Sequence, residues 1–158
     1  MSHPARVAIL FGSESDRATM EETAKILDTF DVGHEMHHAS AHRSPEKVRE
    51  IVASAPGRGV KVFIAGAGMA NHLAGTVAAH TTLPVIGVPL MGGALGGADA
   101  LYSTVQMPPG VPVATVAIGA PGAKNAAVLA VQILAVSDPG LQLMLEDLKT
   151  RLARGEKL

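Results

Sequence analysis

Short apolar runs that end in glycine or polar residues alternate with amphipathic segments along most of the chain, and this alternation limits the fold more than any other feature. The first run, residues 6–11 (RVAILF), ends at Gly12, and the segment after it carries apolar residues at helical spacing. A short continuous apolar run bounded by a turn is typical of a strand buried on both faces. Parallel strands need long crossovers, and helical crossovers cover both faces of the sheet. The pattern therefore predicts a parallel sheet between two layers of helices.

The same criteria divide the chain into five strands and their connecting helices. The predicted strands are 6–11, 34–39, 60–65, 84–88 and 111–119. The predicted helices are 17–30, 45–55, 71–80, 122–136 and 141–153, with a further short helix in the glycine-rich segment 89–110. Five parallel strands covered in this way form a three-layer α/β/α arrangement of the flavodoxin-like kind. Because no repeat or linker interrupts the pattern, residues 1–158 are expected to form one domain.

The composition narrows the possible functions. The formal net charge is −1 and the lysines and arginines are scattered, which does not suit a nucleic-acid-binding surface. The chain has no cysteine, so disulfide and thiolate chemistry are excluded and a reducing cytoplasm is the expected location. With no tryptophan and one tyrosine, few rings could stack on a flavin. We also expect no signal peptide and no contact with a membrane, because every apolar segment is interrupted.

The segment 124–136 is apolar on nearly all sides of the predicted helix. Such a helix is buried within a large core or between subunits. In a chain of 158 residues the second explanation is attractive, so we expect a homo-oligomer.

The unusual polar and glycine-rich segments all follow predicted strands. They are 12–16, 40–43, 66–72 and 87–97. In an open parallel sheet, ligands bind outside the carboxyl ends of the strands, near the point where the strand order reverses. The four segments are therefore expected to form one site. The glycine-rich stretch 91–97 is a candidate for excluding bulk water from it.

The first two segments contain groups suited to a phosphorylated ligand. Gly12 and Ser13 offer backbone N–H donors at a helix start, and Asp16 is an acceptor suited to ribose hydroxyls. Capping of the helix by Ser13 or Ser15, with Asp16 in its first turn, explains the same residues without a ligand. The pattern matches neither the Walker nor the Rossmann glycine spacing.

In the second segment, Ser40 and Arg43 could both address a phosphate, and arginine offers a bidentate fork. His42 lies between them, and an ordinary imidazole pKa near 6.5 suits proton transfer at neutral pH. A solvated polar turn before the next helix is the simpler alternative. In the third segment, small residues precede Met69, and His72 stands at a helix start. A close packing turn with a surface histidine explains that segment equally well.

Four histidines stand close together at positions 34, 37, 38 and 42. On a strand, His34 and His38 share one face while His37 points to the other, so their side chains do not converge. No cysteine or nearby carboxylate completes a ligand set. A metal site is therefore not favoured, and the roles of His34, His37 and His38 stay open.

Taken together, the strand-end motifs closely resemble the family of 5-(carboxyamino)imidazole ribonucleotide mutases, also known as the catalytic subunit of phosphoribosylaminoimidazole carboxylase. The matching stretches are GSESD (12–16), SAHRSP (40–45), AGAGMANHLAG (65–75), LPVIGVP (83–89), YSTVQMPPGVPVATVAIG (102–119) and GAKNAAVLAVQILA (122–135). The resemblance implies a flavodoxin-like homo-octamer with sites between subunits, in which the C-terminal helix, about 141–154, joins the contacts. It also implies an isomerase of purine biosynthesis that moves a carboxylate from an exocyclic nitrogen to C4 of an imidazole without a cofactor.

The resemblance also assigns roles to individual residues. It implies that Ser13 and Asp16 bind the ribonucleotide, that His42 is the general acid/base and that Arg43 contacts phosphate, with Gly12, Ser40 and His72 also in the substrate site. The backbone N–H groups of Ala67 and Gly68 are expected to hold CO2 or the carboxylate, as an oxyanion hole does. Three residues depart from the family's GAGGAAHLPG loop: Met69, Asn71 and Ala74 replace Gly, Ala and Pro.

Two rival functions remain open at this point. One is a carboxylase that uses aminoimidazole ribonucleotide and CO2 directly, a class whose members tend to carry SAHK, whereas this chain has Arg43. The other is a flavodoxin-like nucleotide sensor that binds without turnover. His42 between two glycine-rich loops argues against a sensor.

Overall fold

The predicted five-stranded parallel sheet is present in the computed structural model, which describes residues 4–158. The strands are β1 (Val7–Phe11), β2 (His34–His38), β3 (Val62–Gly68), β4 (Val85–Leu90) and β5 (Ala114–Thr115). The helices are α1 (Arg17–Thr29), α2 (Pro45–Ser54), α3 (Leu73–Ala79), α4 (Ala98–Val105), α5 (Ala120–Ala135) and α6 (Pro139–Ala153). Short 3₁₀ turns at Glu14–Asp16 and Ala55–Arg58 precede α1 and follow α2. Within residues 4–158, none of the helices combines the length and the apolar character that crossing a bilayer requires.

The strand order β2-β1-β3-β4-β5, with all neighbours parallel, confirms the flavodoxin-like prediction. The chain leaves β1 to form β2 on one side and then crosses to form β3 on the other. The carboxyl end of β1 is therefore flanked by both neighbours, and Phe11 is in register with His38 and with Gly66. This point between β1 and β3 is the topological switch, where a ligand is expected.

The sheet is covered on both faces, and β1 shows how. Its residues alternate between two hydrophobic clusters, and all five are fully buried. Val7, Ile9 and Phe11 pack in the cluster that contains α1, α5 and α6, whereas Ala8 and Leu10 pack with α2 and α3. Burial on both faces explains why this strand is a continuous apolar run rather than an alternating one.

Helix α5 is buried by its own chain. It packs against β3 and β4 on one side and against α1 and α6 on the other. Small residues allow α1 to approach closely, and the buried Thr23 hydroxyl donates to Ala123 O at 2.8 Å. These contacts bury most of the apolar residues of α5, while Val128, Leu129 and Ile133 remain partly exposed. The apolar character of α5 is therefore explained largely within one subunit and does not by itself require an oligomer.

The bounds of β3 and β5 differ most from the prediction. β3 continues through Gly68 because β4 holds its last residues in the ladder, with Ala67 opposite Pro89. β5 was predicted to be longer but has only two residues. The segment after it still runs beside β4, since Val116 N–H and Gly119 N–H donate to backbone carbonyls there, but the regular pairing is lost. Edge position accounts for this, because an edge strand has a partner on one side only.

Candidate active site

A cavity of about 550 Å³ lies at the switch point, beyond the carboxyl ends of β1 to β4. Its walls come from four loops that are distant in sequence. The predicted site residues in these walls are Gly12, Ser13, Asp16, Ser40, His42, Arg43, Ala67 and Gly68. The remaining one, His72, is not part of the wall but contacts His42. The structure thus brings together the segments that the sequence analysis singled out.

The loop after β1 forms a tight turn closed by its own residues. Ser13 N–H donates to Asp16 Oδ2 at 3.0 Å, and Asp16 N–H donates back to Ser13 O at 2.9 Å. Ser13 caps the 3₁₀ turn that runs directly into α1 and forms a capping box with Asp16, whereas the cap residue of α1 itself is Asp16 rather than Ser13 or Ser15. Partial burial raises the pKa of the Asp16 carboxyl, against the opposing effects of the Ser13 N–H and the Arg43 charge.

The loop after β2 is held by its two serines. The Ser44 hydroxyl accepts from Ser40 N–H at 3.0 Å, and the Ser40 hydroxyl accepts from Arg43 N–H at 3.2 Å. Ser44 is the residue before α2, and Pro45 begins that helix, as predicted. The hydroxyl groups fix the turn rather than cap the helix, so the backbone that carries His42 and Arg43 is pre-organised.

Arg43 joins the first two loops. Its Nη2 donates to Gly12 O at 2.9 Å across the cavity wall. A guanidinium has five N–H donors, so this one bond leaves donors for an anion beside it. Arg43 is exposed, so its remaining donors are accessible from the cavity.

His42 and His72 form a close pair. His42 Nε2 lies 2.7 Å from His72 Nδ1, and the rings meet edge to face with centroids 4.8 Å apart. At this distance one nitrogen must carry a hydrogen and the other must accept it, so the pair holds one proton between the two rings. The contact joins residues 30 positions apart in sequence, and no spacing rule predicts it.

The loop after β3 explains two of the three residues that depart from the family's motif. Asn71 is fully buried, and its Nδ2 donates to Val88 O at 3.2 Å and to Thr104 Oγ1 at 2.9 Å. Ala74 is also fully buried in α3, and a Cβ placed on Gly87 of β4 would lie 3.2 Å from its methyl group. Both residues therefore pin α3 and its preceding loop against β4.

Several residues of the wall had no predicted site role. They are Ser15, Ala41, Met69, Ala70, Leu73, Met91, Gly92 and Gly93. Most are small or apolar, and such side chains give no chemical signal of a site. The glycine-rich stretch after β4 was the available clue, and its first part does border the cavity.

The three histidines of β2 lie outside the cavity wall, each near a carboxylate. His37 Nε2 is 3.0 Å from Glu35 Oε1, His38 Nδ1 is 3.5 Å from Glu14, and His34 Nδ1 is 3.7 Å from Asp28. The His38 ring also stacks on Phe11. Across residues 4–158, no group of three or more His, Cys, Asp or Glu side chains is arranged to hold a metal ion.

Comparison with known proteins identifies the family. The family model described as AIR carboxylase matches residues 6–155. The chain is 53% identical over 146 residues to the N5-carboxyaminoimidazole ribonucleotide mutase of Escherichia coli K12, covering 92% of this chain and 86% of the relative. It is 50% identical to the mutase of that name from Pyrococcus abyssi over 149 residues, or 94% and 84% of the two chains. The crystal structure of Treponema denticola PurE superposes with a TM-score of 0.84 at 31% identity, covering 94% of this chain and 92% of that one. The chain belongs to the AIR carboxylase family.

Proposed function

We infer that the protein is an isomerase of purine biosynthesis that converts N5-carboxyaminoimidazole ribonucleotide to the 4-carboxylate of aminoimidazole ribonucleotide. Relatives that bear the mutase name are about half identical to it over nine-tenths of its length. The His42–His72 pair at the switch-point cavity is the observation that best supports placing the reaction there. A small phosphorylated ribonucleotide suits a cavity of about 550 Å³.

The reaction balances without a cofactor. The N–C bond of the carbamate breaks, CO2 leaves, and the exocyclic nitrogen takes up a proton. Ring carbon C4, which is enamine-like, then forms a bond to CO2 and afterwards gives up its own proton. One proton is taken up and one is released, so a single acid/base group can serve both steps.

His42 is the proposed acid/base group. It delivers the proton to nitrogen and removes one from C4, and His72 Nδ1 at 2.7 Å offers the second position for that proton. His72 acts through His42, because it lies outside the cavity wall, so it is a positioning residue. The direct contact lets the proton pass between the two rings without an intervening water.

Other residues of the cavity wall suit the phosphoribosyl group of the substrate. Arg43 supplies the positive charge, Ser40 and Ser13 supply polar groups at turns, and Gly12 allows close approach of the backbone. Asp16 accepts from ribose hydroxyls. On the remaining side, the backbones of Ala67 and Gly68 face the carboxylate or CO2.

A substrate comparison tests the function. The purified protein is supplied either with the carbamate or with aminoimidazole ribonucleotide plus bicarbonate, and formation of the 4-carboxylate is followed. We expect turnover with the carbamate at substrate concentrations where the second mixture gives little product. Efficient use of the second mixture instead would identify a direct carboxylase. Binding of the product without turnover of either mixture would identify a sensor.

We propose further that the chain acts as a homo-octamer in the cytoplasm, with each single-domain subunit closing its neighbour's site. Exposed apolar side chains on the loop after β4 and on α4 support a subunit contact there: Met91, Leu95, Tyr102 and Val105. Leu143, Met144 and Leu152 give α6 a second such surface. The absence of cysteine suits the cytoplasm. Light scattering on the eluting protein should give eight times the 16.2 kDa chain mass, and the monomer mass would contradict the octamer.

A further inference from the structure

Two exposed methionines line the cavity at the switch point. Met69 is 60% exposed and Met91 is 70% exposed, whereas Met20 is fully buried in the main hydrophobic cluster. The family's loop carries glycine where this chain has Met69, so the shared reaction does not need a side chain there. An exposed thioether on this loop is therefore a feature of this chain, and its own chemistry is oxidation at sulfur.

The two thioethers differ in their surroundings. Met91 belongs, with Leu95 and Tyr102, to the exposed apolar surface assigned above to a subunit contact. Met69 lies instead on the loop after β3, in the wall of the cavity that the substrate has to enter. Hydrogen peroxide is far smaller than a ribonucleotide, so an entrance that admits the substrate also admits the oxidant to Met69.

The backbone that carries Met69 is fixed on both sides. Before it, Gly68 belongs to β3 and pairs with Leu90. After it, Asn71 N–H donates to Ser103 Oγ at 2.9 Å, and the Asn71 side chain bonds to β4 and α4. Met69 therefore cannot move out of the cavity wall without breaking the strand end or these bonds.

The loop after β4 crowds one side of the Met69 side chain. A Cβ placed on Gly93 would be 3.3 Å from Met69 Cγ and 3.8 Å from its Sδ, while the exposed side of Met69 borders the cavity. An oxygen atom added to the sulfur is therefore accommodated on the cavity side. A sulfoxide oxygen is polar and carries partial negative charge, so it opposes an anionic ligand in the same cavity.

We propose that Met69 is a site of reversible oxidation, at which hydrogen peroxide converts the thioether to a sulfoxide and weakens binding of the anionic substrate. The O–O bond of the peroxide breaks, one oxygen bonds to sulfur, which is oxidised by two electrons, and the other leaves as water. A methionine sulfoxide reductase with a thiol reductant reverses the change. The effect on substrate binding rests on the proposed function, whereas the modification itself does not.

The test treats wild type, Met69→Leu and two matched controls, Met91→Leu and Met144→Leu, with hydrogen peroxide. Leucine is close to methionine in volume but cannot be oxidised. The KM for the carbamate and the masses of the proteolytic peptides are measured for each protein before and after treatment. We expect treatment to raise KM several-fold in wild type and in both controls, with a smaller change in kcat, and to leave KM unchanged in Met69→Leu. The peptide that contains Met69 should gain one oxygen atom while the peptide with Met20 does not.

Two further readouts separate this role from general oxidative damage. The 4-carboxylate product, present during treatment, should slow oxidation of Met69 but not of Met144, which lies outside the cavity and is 37% exposed. Methionine sulfoxide reductase should restore the original KM.

The inference is overturned if Met69 stays unmodified at a peroxide dose that oxidises Met144, if wild type with oxidised Met69 keeps its KM, or if Met91→Leu rather than Met69→Leu is protected. Failure of untreated wild type to convert the carbamate would instead overturn the proposed function. The peptide masses would still show whether Met69 is oxidised, so the two failures are distinguishable.

Discussion

Two cavities of nearly equal volume differ in almost everything else. One, of about 550 Å³, lies at the switch point of the sheet, and the other, of about 530 Å³, lies between α1, α6 and the end of the chain. The walls of the second are Ile26, Thr29, Phe30, Leu143, Met144, Asp147, Leu148, Arg151, Lys157 and Leu158. The first is built from loops of four separate segments, whereas the second is built mainly from the sides of two helices. Volume alone therefore does not locate a site, while convergence of distant polar groups at strand ends does.

The arginines that line the two cavities also differ in their partners. In the second cavity, Arg151 Nε and Asp147 Oδ2 are 3.4 Å apart on successive turns of α6, so these two charges pair with each other. In the first, Arg43 reaches from one loop to the carbonyl oxygen of Gly12 on another and retains donors for an anion. We interpret the first cavity as a ligand site and the second as a packing groove.

The largest loss of activity is expected when the imidazole of His42, in the first cavity, is removed. His42→Asn keeps a polar side chain of similar size but removes the titrating group, so kcat should fall by about 10²- to 10⁴-fold. Affinity for the 4-carboxylate product, measured by calorimetry, should stay close to wild type. His80→Asn, at the exposed end of α3, serves as the control. Near-normal turnover of His42→Asn would contradict the acid/base assignment.

Truncation in the second cavity should affect stability rather than activity. Leu148 is only 3% exposed and belongs to the main hydrophobic cluster, so Leu148→Ala should lower the free energy of unfolding by about 2–5 kcal/mol. Urea unfolding measures this change, and kcat/KM per folded molecule should be unaltered. A selective loss of activity at unchanged stability would show that the second cavity also has a functional role, which would contradict the proposed difference between the two cavities.

Arg43 in the first cavity and Arg151 in the second allow a matched test of which cavity binds the phosphorylated product. Arg43→Ala should weaken binding of the phosphorylated product by about 10- to 100-fold, since a hydrogen-bonded charge contributes ~1.5–3 kcal/mol. Arg151→Ala removes the same side chain from the second cavity and should leave the affinity unchanged. Calorimetric titrations of both variants provide the measurement. Equal affinities for the two variants would be inconsistent with a phosphate role for Arg43.

The smallest effect is expected outside both cavities. The Arg58 guanidinium, which bonds Glu35, lowers the pKa of that carboxyl, and His37 adds to the effect. A lowered pKa stabilises the fold above the unfolded-state value of about 4.3, and this contribution is lost as the pH falls through the folded-state value.

Glu35→Gln should therefore cost at most about 1 kcal/mol at pH 7, because the pair is partly exposed. The cost relative to wild type should shrink in urea titrations carried out below pH 4.5. Glu50→Gln on α2 is the control. A cost that grows as the pH falls would have the wrong sign for this ion pair.

The layers of the fold, and the meeting of the four polar segments at one edge of the sheet, could be predicted from the sequence, because local patterns determine both. The continuous apolar run of β1 indicated burial on two faces, and the polar segments after the strands indicated the edge where they meet. Less could be predicted where tertiary contacts decide. The extent of β5 depends on its edge position, and the pairing of His42 with His72 depends on how two loops pack.

The three departures from the family's loop illustrate the same limit. Asn71 and Ala74 are explained by burial against β4, whereas Met69 is exposed and its side chain lies beside Gly93. None of these contacts can be inferred from spacing along the chain. The second cavity was likewise not predicted, since it forms only where α6 returns to pack beside α1.

The central claim is that the carboxylate moves within one bound molecule. Its most direct test is to supply the wild-type protein with substrate that carries ¹³C in the carbamate carbon, in a medium of unlabelled bicarbonate. The account predicts that the 4-carboxylate of the product retains nearly all of the ¹³C at early times. A product whose carboxylate is unlabelled, and so derived from the medium, would contradict it.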